Sequence, residues 1–165
     1  MISILQATTN EIPLIHEMGS IVFPHTYKNI LSKDQLDFML EWMYSHDNLK
    51  KQMLEENHTY YIAYVDNVPA GYVSIRPESE SVFHLEKIYV LPLFQKNSVG
   101  KLLFQYAIKV IKEIHPEKCE MHLNVNRENE AVNFYKHMGM QIIHQEDFPI
   151  GNGFYKTDYI MGITI

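Results

Sequence analysis

Apolar residues in the first part of the chain change from strand-like to helix-like spacing. Residues 2–6 are a short apolar strand candidate, and Thr8 with Glu11 has the spacing of a capping box that begins a helix running towards Ile21. Ser32 offers a second helix start. The apolar residues that follow it with i, i+3, i+4, i+7 spacing, which is typical of one helix face, are Leu36, Met39, Leu40 and Met43.

Three consecutive strand candidates come next. Residues 60–65 and 70–76 are rich in aromatic and β-branched side chains, and residues 66–69 between them form a turn-like insert. Residues 82–90 make the third strand candidate. Because consecutive strands pair most simply with their neighbours, we predict an antiparallel meander.

The strongest helical pattern follows this meander. It holds over about four turns, and the apolar positions that define it are Val99, Leu102, Leu103, Tyr106, Ala107, Val110, Ile111 and Ile114.

The last elements predict one more strand and helix and then two closing strands. Residues 119–125 alternate as a strand, and residues 129–137 form a shorter helix candidate ended by Gly139. Residues 140–144 and 154–160 are the closing strands. The pattern therefore predicts a mixed α/β fold around one sheet.

Composition narrows the classes of function. A chain of 165 residues with 46% hydrophobic content favours a single domain spanning residues 1–165. A net charge of −6 without long basic runs argues against nucleic-acid binding. The lone cysteine, Cys119, excludes an intramolecular disulfide and a multi-cysteine zinc site, and it favours a reducing, cytoplasmic setting. No apolar stretch approaches the roughly 20 residues that span a bilayer, so we expect no membrane segment and no secretion.

The segment FQKNSVGKLL, residues 94–103, lies between the third strand of the meander and the long helix. A nucleotide P-loop would need a glycine at Gln95 and a serine or threonine at Leu102, and a Rossmann fingerprint would need three glycines where one is present. A strand-to-helix loop nevertheless offers free backbone N–H groups and the positive end of the helix dipole. The segment therefore predicts an anion-binding loop.

Two motifs resemble the GNAT superfamily of acetyl-CoA-dependent N-acetyltransferases. Residues 95–100, QKNSVG, resemble its Q/R-x-x-G-x-G/A signature, and Val90 and Pro92 match the Val-x-Pro pattern that precedes it. Residues 131–140, AVNFYKHMGM, resemble its second signature, A-x-x-F-Y-x-x-x-G-F, with methionine in place of the last aromatic residue. The order of predicted elements also fits the family along essentially the whole chain.

The resemblance implies a mostly antiparallel central sheet flanked by helices and a site for acetyl-CoA. Two further positions depart from the family pattern. Ser98 replaces a glycine, and Asn129 stands one place later than the usual asparagine, where the chain has Glu128. The residues implied in coenzyme binding are Ile88, Tyr89, Val90, Gln95, Lys96, Asn97, Ser98, Val99, Gly100, Lys101, Asn129 and Phe134.

At Ser98 the effect of the added Cβ depends on the backbone. A negative φ would leave coenzyme binding intact, whereas a positive φ would weaken coenzyme binding, because the Cβ strains the backbone there. The hydroxyl is also a candidate helix cap and phosphate contact. Asn129 is a candidate for both a local cap and a contact with the coenzyme arm.

Acetyl transfer to a primary amine needs a proton acceptor, a proton donor and an oxyanion donor. An alkylammonium with a pKa of about 10.4 must lose its proton before it attacks the thioester. The resemblance implies Tyr135 as the acid that protonates the leaving thiolate and a backbone N–H near Tyr89 and Val90 as the oxyanion donor. Glu86 is the candidate base, expected on one strand face with Ile88 and Val90, and His84 on the same face is its rival.

The acceptor pocket and the class of acceptor are indicated only by scattered positions of the sequence. Phe23, His25 and Tyr27 belong to a segment expected to be a loop before the second helix, in a region that forms part of the acceptor pocket in the family. The chain also resembles a bacterial branch that includes polyamine acetyltransferases, and the negative charge mildly favours a polyamine. A protein or peptide acceptor and a non-catalytic acyl-CoA-binding module stay open as alternatives. We expect no metal site, because no histidine pair has ligand spacing, and a homodimer through exposed edge strands is permitted.

Overall fold

The computed structural model describes all 165 residues and is organised around one seven-stranded sheet in the order β1-β2-β3-β4-β5-β7-β6. Every neighbouring pair is antiparallel except β4 and β5, which are parallel. The strands are β1 Ile2–Gln6, β2 Thr59–Val65, β3 Val68–Pro77, β4 Val82–Val90, β5 Glu120–Asn126, β6 Gln141–Gly151 and β7 Phe154–Thr164.

Five α-helices cover the two faces of this sheet. Two of them pack on the face where a 21-residue core forms, and three pack on the opposite face around a 14-residue core. On the first face lie α4 Val99–Ile114 and α5 Ala131–His137, and on the second lie α1 Ile12–Tyr27, α2 Lys33–Tyr44 and α3 His46–Glu55. None of the helices is both long enough and apolar enough to cross a membrane.

Local chemistry at the helix starts explains where they begin. The predicted capping box forms: the Thr8 side chain accepts the N–H of Asn10 and Glu11 accepts the N–H of Thr8, opening a short 3-10 turn that leads into α1. The Ser32 hydroxyl accepts the N–H of Gln35 at 3.2 Å and caps α2 as predicted.

The predicted meander of β2, β3 and β4 is confirmed. Asp66 and Asn67 close its first hairpin with positive φ angles of 48° and 68°, the backbone of a two-residue turn that suits the twist of the strands. The mixed α/β fold with a mostly antiparallel sheet is likewise confirmed.

Several boundaries differ from the predictions. The first helix continues past Ile21 to Tyr27, so the segment containing Phe23, His25 and Tyr27 is helical and the expectation of a loop was wrong. Pro24 is tolerated there because its missing N–H removes only one bond near the end of the helix. Helix α3 was not predicted, and β6 and β7 extend beyond residues 144 and 160.

Candidate active site

The two parallel strands diverge at the centre of the sheet. Their pairing is confined to residues 82–84 of β4 and residues 120–122 of β5. Beyond His84 and His122 the strands run on to Val90 and Asn126 without pairing to each other. A wedge-shaped gap therefore opens between them towards their carboxyl ends and connects the two faces of the sheet.

Backbone N–H groups of β4 point into this gap. Leu91 donates its N–H to the carbonyl of Ala70 at 2.8 Å, and the hydrogen-bonded positions of an antiparallel strand alternate. The N–H groups of Val90 and Ile88 therefore face away from β3 and towards β5. Consistent with this direction, the Val90 carbonyl accepts a hydrogen bond from the Gln95 amide at 3.3 Å.

The loop before α4 presents a set of free amides. The first hydrogen bond of the helix runs from the Leu102 N–H to the Ser98 carbonyl at 3.1 Å. The N–H groups of Ser98, Val99, Gly100 and Lys101 therefore have no acceptor in the protein, at the positive end of a 16-residue helix. Gln95, Lys96 and Asn97 are exposed beside them. This arrangement is suited to binding an anionic group.

Ser98 adopts the left-handed backbone conformation, with φ 61° and ψ 15°. Its hydroxyl makes no capping hydrogen bond, so the predicted cap is not formed. The backbone at this position is the one that glycine adopts without strain and that a residue with a Cβ adopts at a cost of roughly 1–2 kcal/mol.

A β-bulge changes the predicted faces of β4. Ile75 of β3 pairs with Leu85, whereas the preceding residue of β3 pairs with Lys87, so Glu86 is an extra residue in the strand. The alternation of side chains is therefore shifted by one residue at this point. Ile88 and Val90 pack against the core on the α4 side, while Glu86 lines a cavity on the opposite face. The prediction that these three residues share a face was wrong.

Tyr135 and Phe134 lie at the α5 edge of the gap. Tyr135 is 7% exposed, and its hydroxyl makes no hydrogen bond within the protein. Burial, with a smaller contribution from nearby Tyr27, raises the pKa of Tyr135, so the phenol stays protonated at neutral pH. The Phe134 ring lies edge-on to Phe104 and close to Gly100, where a Cβ would be 3.8 Å from its Cζ.

Tyr27, Tyr89 and Asn129 are brought together across the mouth of the gap. The Asn129 amide donates to the Tyr27 hydroxyl at 3.1 Å, and the Tyr27 and Tyr89 hydroxyls are 3.3 Å apart. The Asn129 side-chain oxygen also accepts the N–H of Ala131, the first residue of α5, at 2.9 Å, whereas the N-cap position of the helix is Glu130. Three residues predicted from separate segments thus form one cluster.

His25 is separated from this cluster. Phe23 and Tyr27 stand four residues apart on one face of α1, and both line the cavity. His25 lies between them in sequence and is exposed on the other side of the helix. The structure therefore does not bring all three predicted acceptor-pocket residues together, because a helix turns His25 away from Phe23 and Tyr27.

The cavity has a volume of about 360 Å³ and lies on the α1–α2 side of the gap. Side chains of β4 and β5 form one wall, and Phe23 and Tyr27 of α1 form another. Its lining includes three carboxylates and three basic side chains, Glu78, Glu86, Asp158, Arg76, Lys87 and Lys156. The cavity is therefore polar and close to charge balance, although the chain as a whole is acidic.

Glu86 is held as a carboxylate. Burial alone would raise the pKa of Glu86, but attraction to His84 in its protonated form and to Arg76 outweighs burial and lowers the pKa. The Arg76 side chain donates a hydrogen bond directly to Glu86. His84 lines the same cavity, and burial lowers its pKa, so its imidazole is neutral at pH 7.

Lys87 is a cavity residue that the sequence pattern did not single out. It is 6% exposed and donates to the Met43 carbonyl at 2.9 Å, to Gln52 at 3.0 Å and to the Tyr60 hydroxyl at 2.5 Å. Burial lowers the pKa of Lys87 to about 7. A charged residue inside the apolar run of β4 was the available signal, but its partners come from distant segments.

Comparison with known proteins identifies the family. The model of the acetyltransferase (GNAT) domain matches residues 28–158. A relative described as an uncharacterized N-acetyltransferase in the pepI 3' region of Lactobacillus delbrueckii subsp. lactis is 26% identical over 168 residues, covering 97% of this chain and 95% of the relative.

Solved structures share the fold over the full length. The PaiA N-acetyltransferase from Thermoplasma acidophilum in complex with coenzyme A has a TM-score of 0.82 at 20% identity, covering 100% of this chain and 99% of that chain. Naa50 of Arabidopsis thaliana, in complex with the bisubstrate analogue CoA-Ac-MVNAL, has a TM-score of 0.69 at 16% identity over 99% of both chains. At these identities the structural likeness shows the fold, whereas the family-domain match covers most of the chain. The chain belongs to the GNAT family of acetyltransferases.

Proposed function

We propose that this acetyltransferase transfers the acetyl group of acetyl-CoA to the primary amine of a small molecule, with a polyamine as one candidate acceptor. The observation that carries the proposal is the gap between β4 and β5. Free helix-start amides lie at its α4 side, and a polar cavity lies at its α1–α2 side. The two co-substrates can therefore approach the same point from opposite faces of the sheet.

On the α4 side, the proposed coenzyme site has an anionic end and an apolar end. The amides of residues 98–101 bind the pyrophosphate, and the exposed side chains of Gln95, Lys96 and Asn97 surround it. Ile88, Val90 and Phe134 supply an apolar wall for the pantetheine arm. The coenzyme A in the T. acidophilum PaiA structure supports this assignment, because that protein has the same fold.

At the meeting point the neutral amine attacks the thioester carbonyl and a tetrahedral oxyanion forms. The Val90 N–H, which points into the gap, stabilises this oxyanion. The carbon–sulfur bond then breaks, the Tyr135 hydroxyl protonates the departing thiolate, and the proton released by the attacking nitrogen restores the hydroxyl. The raised pKa keeps the phenol protonated at neutral pH, so its proton is present when the thiolate forms.

Glu86 is proposed as the group that accepts the proton of the acceptor ammonium and passes it to solvent. Its carboxylate is ionised and lines the cavity. We expect Glu86→Gln to lower kcat/KM roughly 10- to 100-fold at pH 7. The deficit should shrink as the pH approaches the amine pKa of about 10.4, because the acceptor then loses its proton without help. A deficit that stays constant with pH would remove Glu86 from proton transfer.

The size of the cavity is compatible with a small acceptor. A volume of about 360 Å³ accommodates a short amine or the first residues of a peptide, and the Naa50 analogue keeps a peptide acceptor in consideration. The near balance of acidic and basic residues in the lining means that cavity charge does not by itself favour a polyamine.

The test combines coenzyme binding with an acceptor panel. Calorimetric titration with acetyl-CoA should show saturable binding, and release of the CoA thiol should follow addition of butylamine, putrescine, spermidine or an alanine-initiated tetrapeptide. The single cysteine, Cys119, is buried and gives little background in a thiol assay. Turnover with amines alone supports the proposal. Turnover with the peptide alone would identify a peptide as the acceptor in place of a small molecule, and absence of acetyl-CoA binding contradicts the proposal.

A further inference from the structure

Asp158 lies at the transfer end of the cavity and has no role in the proposal above. It is 2% exposed and pairs in register with Asn126, the last residue of β5. Its backbone carbonyl accepts a hydrogen bond from the Arg127 side chain at 3.4 Å. Arg127 stands two residues before Asn129, whose side chain donates to the Tyr27 hydroxyl. These backbone contacts bring Asp158 to the mouth of the gap, and its side chain lines the cavity together with Tyr27.

The two oxygens of this carboxylate differ in their partners. Oδ2 accepts from the Asn124 amide at 3.2 Å and lies 3.2 Å from the Lys156 ammonium. Oδ1 accepts no hydrogen bond from the protein, and the Asp158 side chain lines the cavity. A carboxylate this deeply buried, with one oxygen open to the cavity, is a ready partner for a cation.

Lys156 is the weakly held member of the ion pair. It stands two residues from Asp158 on the same face of β7, and both side chains line the cavity. The Lys156 ammonium makes this single contact although it has three donors, and its side chain is 26% exposed. A primary ammonium of the protein therefore already pairs with this carboxylate, at Oδ2.

From this geometry we infer that Asp158 anchors the ammonium of the acceptor and that Lys156 is an intramolecular placeholder which the acceptor displaces. The inference rests on the proposed function and names the residue that holds its substrate. The chemical class recognised is a primary alkylammonium.

The other cavity carboxylates are less suited to this role. Arg76 donates to Glu86 and also lies 3.8 Å from Glu78, so both share one guanidinium. Glu86 stands three residues before Tyr89 on β4, roughly 10 Å further from the mouth of the gap. A base at that depth and an anchor at the mouth are compatible, because a proton can travel through water whereas the amine itself must reach the thioester.

The two members of the pair give opposite expectations. Asp158→Asn keeps the shape and the acceptor oxygen for Asn124 but removes the charge, so we expect the acceptor KM to rise roughly 10- to 100-fold with the acetyl-CoA Kd unchanged. Lys156→Met removes the competing ammonium and frees the carboxylate, so the acceptor KM should fall roughly 3- to 10-fold. If the ion pair only supports the fold, the acceptor KM should change in the same direction in both variants.

The measurement is steady-state kinetics with whichever of the four panel acceptors the unmodified protein acetylates fastest. The double variant with Asp158→Asn and Lys156→Met leaves no unpaired buried charge, so it should fold, and its KM should match that of Asp158→Asn. Opposite KM shifts support the inference. KM changes in the same direction, or an unchanged KM in Asp158→Asn, overturn it while the proposed function stands. If the unmodified protein acetylates none of the four panel acceptors, the proposed function fails and the inference fails with it.

Discussion

The two faces of the sheet are built from different chemistry. The core under α4 and α5 contains 21 buried residues, of which only Tyr61 and Tyr135 carry hydroxyls. The core under α1, α2 and α3 contains 14, of which four are tyrosines, and the ionisable side chain of Lys87 is buried against two of them. An apolar face with fixed backbone amides suits a co-substrate that the family shares. A face of hydroxyls and charges suits discrimination among acceptors.

Tyr135 stands where the two faces meet, and its replacement tests the chemistry that joins them. Because its hydroxyl bonds to no protein atom, Tyr135→Phe should leave the fold intact and lower kcat roughly 100-fold or more, with an unchanged acetyl-CoA Kd. Stopped assays of CoA release measure kcat, and calorimetric titration measures the acetyl-CoA Kd. Tyr155→Phe, at an exposed tyrosine outside the cavity, is the matched control and should keep full activity. Equal kcat values for both variants would exclude Tyr135 as the acid.

The tyrosine face is also the more sensitive to packing. A Cβ on Gly19 of α1 would lie 2.3 Å from the ring of Tyr44, which is fully buried and has its hydroxyl 2.5 Å from that of Tyr72. Since the ring has nowhere to move, Gly19→Ala should lower the free energy of unfolding by about 2–3 kcal/mol, measured by urea denaturation. Glu17→Ala, on the exposed side of the same helix, should change it little. A stable Gly19→Ala protein would show that this face repacks readily.

The sequence predicted the apolar face better than the tyrosine face, for a physical reason. The α4 helix repeats its apolar positions at one spacing, and the amides before it follow from any strand-to-helix loop, so both are local properties. The cavity depends on contacts between distant segments, such as the bond from Lys87 to the carbonyl of Met43. The direction of Glu86 was missed because a bulge is defined by the partner strand, which a single segment does not contain.

The buried Lys87 gives the tyrosine face a distinct pH response. Its pKa is about 7 in the folded protein and about 10.4 when unfolded. Between these values the unfolded chain binds one more proton, so the free energy of unfolding should increase with pH by up to about 1.4 kcal/mol per unit. Above pH 10 the sign reverses, because burial raises the pKa of Tyr44, Tyr72 and Tyr89 and only the unfolded chain loses their protons.

Urea unfolding at intervals from pH 7 to 10 measures this slope. In Lys87→Met the increase between pH 7 and 10 should disappear, whereas Lys51→Met, at an exposed lysine of α3, should retain it. A flat profile in the unmodified protein would mean that Lys87 remains charged, held by its three hydrogen bonds.

The smallest expected effect lies on the apolar face, at the one position where its loop departs from the family pattern. Ser98 has a positive φ, so Ser98→Gly should relieve backbone strain and raise the free energy of unfolding by about 1 kcal/mol. Coenzyme affinity should be unchanged or slightly higher, because the amide stays in place. Ser98→Ala keeps the Cβ and removes only the hydroxyl, so weaker acetyl-CoA binding in Ser98→Ala and in Ser98→Gly alike would identify a phosphate contact. Unchanged stability in Ser98→Gly would show that the surrounding loop already compensates for the left-handed backbone, and that the glycine of the family pattern is dispensable here.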